Sequence, residues 1–469
     1  METYCALLVR RQNPGSVPEV FLVSCEKGWR LPSFTPPNDI YNTDAQVANR
    51  LIEEQLGAGV VTLQALRLVK PLSAGPLNVY VVERREDAEK YEPTVAGSWI
   101  GREALPSVSF ALPLEQVVVM AWLTEADGEP LPSLGLPWWQ EGWFTATADW
   151  LRAEVERLGR TPLAPAEQIR SAYTSAILRV LTDAGAVYLK VVPRVFAQEP
   201  ALTRMLTKRD PAHFPEVLAA AGDRLLLGDL GEYRSLGGSV PLAQWEEIVR
   251  FYGRLQAGSV ETVEEWLALG CADLRLGTLL DEFEELFARI PERLRGLPQQ
   301  LSDAERMRLR ALAALLKALC QELADYGVPD ALEHGDLHAG NVALRAEGFV
   351  VYDWSHACVT YPFYGFGALL LDDDWFPERP DTVSRLRDVY LEAWTGYASL
   401  PQLREAFARW RRLRSLFAAI HQSHVVAAYQ ERLQGQDYLL ETATGNALQH
   451  MQWWLASHWR ETIRSFEGV

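Results

Sequence analysis

Three oxygen-bearing side chains between positions 336 and 353 have the types and spacing that chemistry on a phosphate group requires. Asp336 and Asn341 lie in the segment His-Gly-Asp-Leu-His-Ala-Gly-Asn (334–341), and Asp353 follows shortly after it. The oxygens of Asn341 and Asp353 suit Mg²⁺, which takes its remaining ligands from water and phosphates. Asp336 precedes this pair on the chain and can orient a substrate hydroxyl and accept its proton.

The elements around Asn341 and Asp353 must bring these two residues together. Two apolar runs, 342–345 and 349–352, flank the turn 346–348 and predict a β-hairpin. If the antiparallel pairing is symmetric about this turn, Asn341 lies directly opposite Asp353. The sequence therefore predicts that an amide oxygen and a carboxylate converge at the open end of a hairpin.

The pattern HxDxxxxN, followed by a strand that ends in Asp-Trp (353–354), resembles the aminoglycoside phosphotransferases and their choline-kinase and homoserine-kinase relatives. These families have a protein-kinase-like fold. The resemblance implies that Asp336 is the catalytic base, that Asn341 and Asp353 bind Mg²⁺, and that His334 supports the catalytic loop. It also implies that ATP or GTP is the phosphoryl donor.

Residues upstream extend the resemblance to the nucleotide site. Lys190 resembles the strand lysine that binds the α- and β-phosphates, and Glu199 on the next predicted helix would pair with it. The segment 225–231, which contains Asp229, resembles the hinge between the lobes; the alternative is a plain buried strand. The loop 171–176 would cover the nucleotide by its position alone, since it has no GxGxxG. The candidate nucleotide-binding residues of this loop are Ser171, Thr174 and Ser175.

One position departs from the family pattern. After the Asp-Trp pair, such families usually carry a proline-containing turn and an acidic residue that ties down the catalytic loop. The segment 361–367 has Gly365 where this acid is expected. The three aspartates at 372–374 could supply a substitute, although such a run is more often a solvated loop.

The N-terminal region resembles a Nudix domain in layout, with Trp29-Arg30-Leu31-Pro32 before a helix that carries Arg50 and Glu54. A working Nudix box needs several glutamates on this helix, because clustered carboxylates hold the metal ions. Leu51 and Gln55 occupy two of the glutamate positions. We therefore expect a non-hydrolytic relative used for binding or packing; an unrelated α+β domain is the alternative.

Local patterns place several other elements. Apolar residues recur every three or four positions between Asp44 and Leu56, which predicts a helix that ends before Gly57. A capping box at 302–305 predicts the start of a long helix. The continuous apolar run 117–122 is interpreted as a strand.

Together these patterns predict an α+β protein with two domains, a Nudix-like α/β sandwich and a bilobal protein-kinase-like phosphotransferase whose C-lobe is mostly helical. The predicted boundaries are 1–125 for the Nudix-like domain, 126–142 for a linker, 143–235 for the kinase N-lobe and 236–469 for the C-lobe.

Composition narrows the class of partner. The 469 residues include 45 Lys and Arg against 62 Asp and Glu, a net charge of −17, which argues against sequence-independent binding to nucleic acid. An acidic surface would tolerate cationic small molecules; the alternative is that the negative charge simply keeps the protein soluble. The five scattered cysteines and the lack of an apolar run of membrane-spanning length indicate a cytoplasmic protein with reduced thiols and no membrane partner.

The leading hypothesis is a small-molecule kinase that transfers the γ-phosphoryl group of ATP or GTP to a hydroxyl of an aminoglycoside-like substrate or of another amino or sugar alcohol. Choline, homoserine or sugar kinase activity is an alternative, because the motif does not define which hydroxyl attacks. A nucleotide-binding pseudoenzyme that senses ligands is a second alternative, favoured by Gly365. The sequence leaves the oligomeric state open.

Overall fold

The computed structural model describes residues 3–11, 17–36, 44–68, 77–85, 92–125, 136–236, 240–295, 297, 300–370, 380–431 and 444–466. The aspartate run 372–374 and residues 126–135 of the predicted linker lie outside this part of the chain. The chain divides into two compact units, the first formed by Met1–Pro193, Leu226–Asp229 and Glu431–Leu448 and the second by Arg194–Leu225, Leu230–Gln430 and Gln449–Val469.

The first unit is built on two sheets. Its strands are β1 (Thr3–Arg10), β2 (Glu19–Cys25), β3 (Gly28–Arg30), β4 (Ser33–Phe34), β5 (Val60–Leu68), β6 (Leu77–Arg84), β7 (Gly97–Gly101), β8 (Glu167–Ser171), β9 (Ala176–Thr182) and β10 (Gly185–Val191). Its helices are α1 (Ala45–Leu56), α2 (Pro113–Glu125) and α3 (Trp143–Arg157). The first sheet has the order β3–β2–β1–β6–β5, with β4 beside β1 and β7 beside β2, and the second includes the antiparallel strands β10–β9–β8.

The first sheet is covered on both faces. Because successive side chains of a strand point to opposite faces, neighbouring residues of β1 belong to different cores. Leu8 lies in a buried cluster with Ile52 of α1, and Leu7 lies in a second cluster with Val119 of α2. A helix therefore packs on each face of this sheet, and Gly57, the predicted stop of α1, has a left-handed conformation.

The strand predicted at 117–122 is wrong, because this segment belongs to α2. Val118 and Val119 are buried, whereas Val117 and Met120, three residues apart, are about half exposed. This distribution follows the period of a helix and not the alternation of a strand. The apolar run had hidden the period, since the exposed positions of this helix are also apolar.

A buried polar cluster links α1 and the edge strand β5 to β8. The Gln168 side chain accepts from the Thr62 amide at 2.8 Å and donates to the Thr62 carbonyl at 2.7 Å. The same Gln168 oxygen accepts from Asn49 Nδ2 at 3.0 Å, and the Thr62 hydroxyl donates to Asn49 Oδ1 at 2.6 Å. The N-terminal sheet thus shares a fully hydrogen-bonded contact with the second sheet of the unit.

The second unit is mostly helical. Its helices are α4 (Glu199–Arg209), α5 (Leu242–Ser259), α6 (Val263–Ala268), α7 (Leu276–Arg293), α8 (Asp303–Ala324), α9 (Tyr364–Leu370), α10 (Pro380–Leu391), α11 (Leu400–Gln430) and the greater part of α12 (Thr444–Ser465). Its strands are β11 (Val217–Ala221), the start of β12 (Arg224–Gly228), β13 (Arg234–Ser235), β14 (Ala272–Leu274), β15 (Ala331–Glu333), β16 (Val342–Leu344), β17 (Phe349–Val351) and β18 (Cys358–Thr360). None of the helices in the described residues is long and apolar enough to cross a membrane.

Two small sheets position the loop 334–341 within this unit. β15 leads into the loop and pairs with β18, and β16 leaves the loop and pairs with β17 and β13. The capping box that predicts the start of α8 is present, because Ser302 and Glu305 bond reciprocally. The unit therefore combines helices predicted from the sequence with short strands whose main role is to hold loops.

We predict that Gln168→Ala lowers the free energy of unfolding by about 2 kcal/mol or more, because it leaves the Thr62 amide and carbonyl buried without partners. Urea denaturation of the full chain would measure this. The control is Gln46→Ala, which removes an exposed hydrogen bond from α1 to Glu167. Equal free energies of unfolding for the two variants would show that the hydrogen bonds of Gln168 do not stabilise the fold.

Candidate active site

The hairpin that carries the candidate metal ligands has a register that differs by one residue from the prediction. Val342 pairs with Val351, and the Tyr352 amide donates to the Asn341 carbonyl at 3.1 Å. Asn341 therefore lies opposite Tyr352 and not opposite Asp353, and the predicted register is wrong.

The turn explains the shift. The Arg345 amide donates to the Gly348 carbonyl at 3.0 Å, so the turn has two central residues instead of three. Gly348 has a φ of 80°, a left-handed conformation that suits glycine. Because side chains alternate along a strand, a one-residue shift changes which residues face each other.

His334 connects the loop to this hairpin. Its Nε2 donates to the Tyr352 carbonyl at 3.0 Å, and its Nδ1 accepts from the Asp336 amide at 3.3 Å. The two bonds together define one neutral tautomer. Burial lowers the pKa of His334 to about 4, so the imidazole is neutral at pH 7. Its ring also packs on Trp354, with the ring centroids 4.6 Å apart.

Asp336 is held through its backbone, and its carboxylate is exposed. The Asp336 amide donates to His334, and its carbonyl accepts from Asn341 Nδ2 at 2.9 Å. The side chain has an exposed fraction of 51%. A carboxylate in this arrangement is accessible to a substrate while the chain beneath it is fixed.

The side chains of Asn341 and Asp353 have the chemistry of magnesium ligands. Since Asn341 donates its Nδ2 to the loop, the Oδ1 atom is the one it can present to a cation. Asp353 Oδ1 accepts from the Ser355 hydroxyl at 2.8 Å. Hard oxygen donors from one carboxylate and one amide fit Mg²⁺, which usually completes its octahedron with phosphates and waters. Within the described residues, no group of three or more His, Cys, Asp or Glu side chains forms a metal site by itself.

The backbone at Asp353 is in an uncommon conformation. Its φ of 66° and ψ of 63° lie in the left-handed region, which non-glycine residues seldom adopt. Such strain is concentrated at functional positions, where the surrounding structure enforces it. The left-handed conformation is consistent with a functional role for Asp353.

The candidate nucleotide-binding residues are distributed over both units. Lys190 lies in β10 of the first unit, paired with Ile177 of β9, and it is 8% exposed. Glu199 begins α4 of the second unit and is 1% exposed. Asp229 is exposed and follows β12. Burial of a lysine and a glutamate requires compensating partners, and both residues have them.

The loop 171–176 is anchored within the first unit. Ser171 is buried and its hydroxyl donates to the Leu63 carbonyl at 3.1 Å, while Trp138 Nε1 donates to the Ala172 carbonyl at 2.8 Å. The Ala172 amide donates to the Ser175 carbonyl, which closes the turn. The Thr174 hydroxyl accepts from Arg170 at 3.4 Å. The Ser171 hydroxyl thus donates its proton to the protein backbone. Both the amide and the carbonyl of Ala172 are hydrogen-bonded, which fixes the backbone of the loop.

A buried carboxylate that was not predicted from the sequence lies directly before the loop 334–341. Glu333 is fully buried and accepts from the His334 amide at 2.7 Å and from Gln256 Nε2 at 2.9 Å. The Tyr252 hydroxyl also donates to it. The pKa of Glu333 is raised above its usual range by burial, and the hydrogen-bond donors offset only part of this rise. A glutamate within a short apolar strand was the only signal in the sequence.

A profile of the phosphotransferase enzyme family matches residues 165–406, which is more than half of the chain. The chain therefore belongs to the phosphotransferase enzyme family, as the motif around Asp336 predicted.

Similar solved structures were also found. The macrolide 2'-phosphotransferase MphH from Brachybacterium faecium is 17% identical, with 62% of this chain and 99% of that chain covered and a TM-score of 0.40. The choline kinase LicA from Streptococcus pneumoniae is 14% identical, with 66% and 99% covered and a TM-score of 0.41. A spectinomycin phosphotransferase in complex with ADP and spectinomycin is 12% identical, with 68% and 98% covered and a TM-score of 0.39. No curated protein matches.

We predict that protonation of His334 destabilises the protein. Its pKa falls from 6.5 to about 4 on folding, so the unfolded chain binds more protons between these values. Its contribution to stability is complete above pH 6.5 and is lost as the pH falls toward 4, by up to about 3 kcal/mol.

The variant His334→Gln keeps a donor for the Tyr352 carbonyl but does not titrate. Urea unfolding of both proteins at about pH 7.5 and about pH 5 should show a smaller loss of stability in the variant. Parallel losses in the two proteins would rule out the buried neutral imidazole.

Proposed function

We propose that the protein transfers the γ-phosphoryl group of ATP or GTP to a hydroxyl of a small molecule, with Asp336 as the catalytic base. One observation carries the proposal. The Asp336 backbone is bonded at its amide to His334 and at its carbonyl to Asn341, yet half of its side chain is exposed. Catalysis of phosphoryl transfer depends on such positioning.

In the proposed reaction the substrate hydroxyl oxygen attacks the γ-phosphorus. The bond from this phosphorus to the β-phosphate oxygen breaks, and the nucleoside diphosphate leaves with the electron pair. Asp336 orients the hydroxyl and accepts its proton. Mg²⁺, held by Asn341 and Asp353, would neutralise phosphate charge. Lys190 would bind the α- and β-phosphates.

The other candidate residues have supporting roles in this proposal. Glu199 would hold Lys190, and His334 keeps the loop in shape. Asp229 would lie near the nucleotide base. The loop 171–176, including Thr174 and Ser175, would cover the phosphates with its backbone.

The acceptor that we propose is an amino or sugar alcohol of the aminoglycoside type. The net charge of −17 suits a cationic acceptor better than an anionic one. Choline, homoserine or sugar kinase activity remains the alternative, as does a nucleotide-binding pseudoenzyme. The support of the loop at Asp336 favours an active enzyme over a pseudoenzyme.

For the N-terminal domain we propose a degenerate Nudix-like module that serves binding or support. On α1, Glu53 accepts from the Val60 amide at 3.1 Å, a contact within the domain. We retain 1–125, 126–142, 143–235 and 236–469 as the proposed domains. We also propose a cytoplasmic location.

We predict that Asp336→Asn lowers the turnover number by about 100-fold or more, because an amide cannot accept the proton, while the affinity for nucleotide changes little. A panel of aminoglycosides, choline and sugar alcohols, assayed for nucleotide consumption, would identify the acceptor and measure the loss. Turnover of the variant close to that of the parent protein would refute the role of Asp336.

We predict that Asp353→Asn removes most of the dependence of nucleotide affinity on Mg²⁺. Asparagine tolerates the left-handed backbone, so the variant should fold, but it removes the one negative charge of the proposed ligand pair. Calorimetric titration with ATP, with and without Mg²⁺, tests this. The control Ser355→Ala removes the hydrogen bond to Asp353 and leaves the carboxylate. An unchanged effect of Mg²⁺ in Asp353→Asn would exclude this residue as a ligand.

A further inference from the structure

The carboxylate of Glu333 binds the backbone at the start of the loop 334–341, the catalytic loop of the proposed function. One oxygen, Oε1, accepts from the His334 amide at 2.7 Å, from the Gly335 amide at 3.4 Å and from the Tyr252 hydroxyl. The second oxygen accepts from Gln256 Nε2 at 2.9 Å. All these groups are donors, so they fit an ionised carboxylate, which accepts only.

Gly365 lies against the same carboxylate. Its amide donates to Glu333, and a Cβ atom built on Gly365 would overlap Glu333 Oε1 and approach the Tyr252 hydroxyl. The φ of Gly365 is not in the left-handed region, so the backbone does not demand glycine. Glycine is needed here because the carboxylate of Glu333 occupies the space that a side chain would fill.

We propose that Glu333 takes the place of the acid that the family resemblance leads one to expect at position 365. The carboxylate that ties down the catalytic loop reaches the loop amides from β15, on the strand before the loop, instead of from α9 after it. Glu333 is then a positioning residue for Asp336, an inference that rests on the proposed function. Gly365 is the complementary change and not a sign of lost activity.

The surrounding contacts hold Glu333 in one position. Gln256 donates to the carboxylate and accepts from the Tyr390 hydroxyl. The same Tyr390 oxygen accepts from the Phe363 amide at 3.2 Å. Phe363 has a φ of 91°, which is rare for a bulky residue and fixes the chain just before Gly365. These hydrogen bonds hold the Glu333 carboxylate beside the amides of residues 334 and 335 and beside Gly365.

The test compares Glu333→Ala, Gly365→Asp and the double variant. Glu333→Ala should accelerate hydrogen exchange of the amides at 334 and 335, measured by mass spectrometry of peptides, and lower the turnover number about 10-fold or more. Gly365→Asp alone should destabilise the protein, since two carboxylates compete for one buried space. In the double variant the new aspartate should restore slow exchange and most of the turnover.

Hydrogen exchange can be measured without a phosphoryl acceptor. It therefore tests the role of Glu333 independently of the proposed function. If slow exchange is lost in Glu333→Ala and restored in the double variant while no acceptor is phosphorylated, only the proposed function fails. The proposal that Glu333 replaces an acid at position 365 would be refuted by either of two results. One is unchanged exchange in Glu333→Ala, and the other is exchange in the double variant that is no slower than in Glu333→Ala.

Two further variants control for failure to fold and for a general loss of stability. If Glu333→Ala does not fold, Glu333→Gln keeps the volume and should still accelerate exchange at 334 and 335. The control is Asp330→Asn, because Asp330 is a neighbouring, largely buried acid that accepts from the Leu276 amide. It should leave exchange of the loop amides unchanged. Equal acceleration in Asp330→Asn and Glu333→Gln would show a general loss of stability and refute the specific role of Glu333.

Discussion

The backbone of the loop 334–341 joins two strands that belong to different sheets, so its polar groups must find partners outside the strand ladders. Buried amides and carbonyls without partners are costly. Three side chains meet this need, because Glu333 accepts from the first amides, His334 accepts from the Asp336 amide and Asn341 donates to the Asp336 carbonyl. The position of the exposed Asp336 carboxylate depends on all three.

These supports require fixed protonation states, and burial favours the required state for His334 but opposes it for Glu333. Burial lowers the pKa of His334, which keeps Nδ1 an acceptor for the Asp336 amide. For Glu333 burial alone would favour the neutral acid, but several donors face the carboxylate and stabilise its charge. The loop is therefore held by a neutral imidazole and a hydrogen-bonded carboxylate, and neither role needs a group that changes charge during the reaction.

The sequence predicts elements well where local signals coincide. The period of α1 and its glycine stop, and the capping box of α8, are contained in a few neighbouring residues, and both helices were predicted correctly. The segment 117–122 was wrongly predicted as a strand, because the exposed residues of this helix are also apolar. The hairpin was predicted, but its register depended on whether the turn has two or three central residues, which the composition of the turn does not decide.

The supports of the site are harder to predict because their partners are distant in sequence. Glu333 meets Tyr252 and Gln256 on α5, more than seventy positions earlier. A single acidic residue in an apolar strand gives no indication of such partners. The departure at Gly365 was visible in the sequence, but its interpretation needed the position of the neighbouring carboxylate.

The contact of Gln168 with β5 shows how the N-terminal sheet supports the segment that leads to the loop 171–176. β5 is an edge strand, and its pairing with β6 shifts register just after Thr62. An edge strand exposes unpaired amides and carbonyls. The side-chain amide of Gln168 satisfies both groups of Thr62, as a neighbouring strand would do.

β8 has its own register shift immediately after Gln168. A bulge bends a strand and redirects its side chains, and three residues later the Ser171 hydroxyl reaches the Leu63 carbonyl of the same edge strand. Two successive contacts from β8 to β5 therefore fix the start of the loop 171–176. A domain joined only by a flexible tether would not share buried hydrogen bonds of this kind. The N-terminal sheet therefore supports the sheet that carries Lys190.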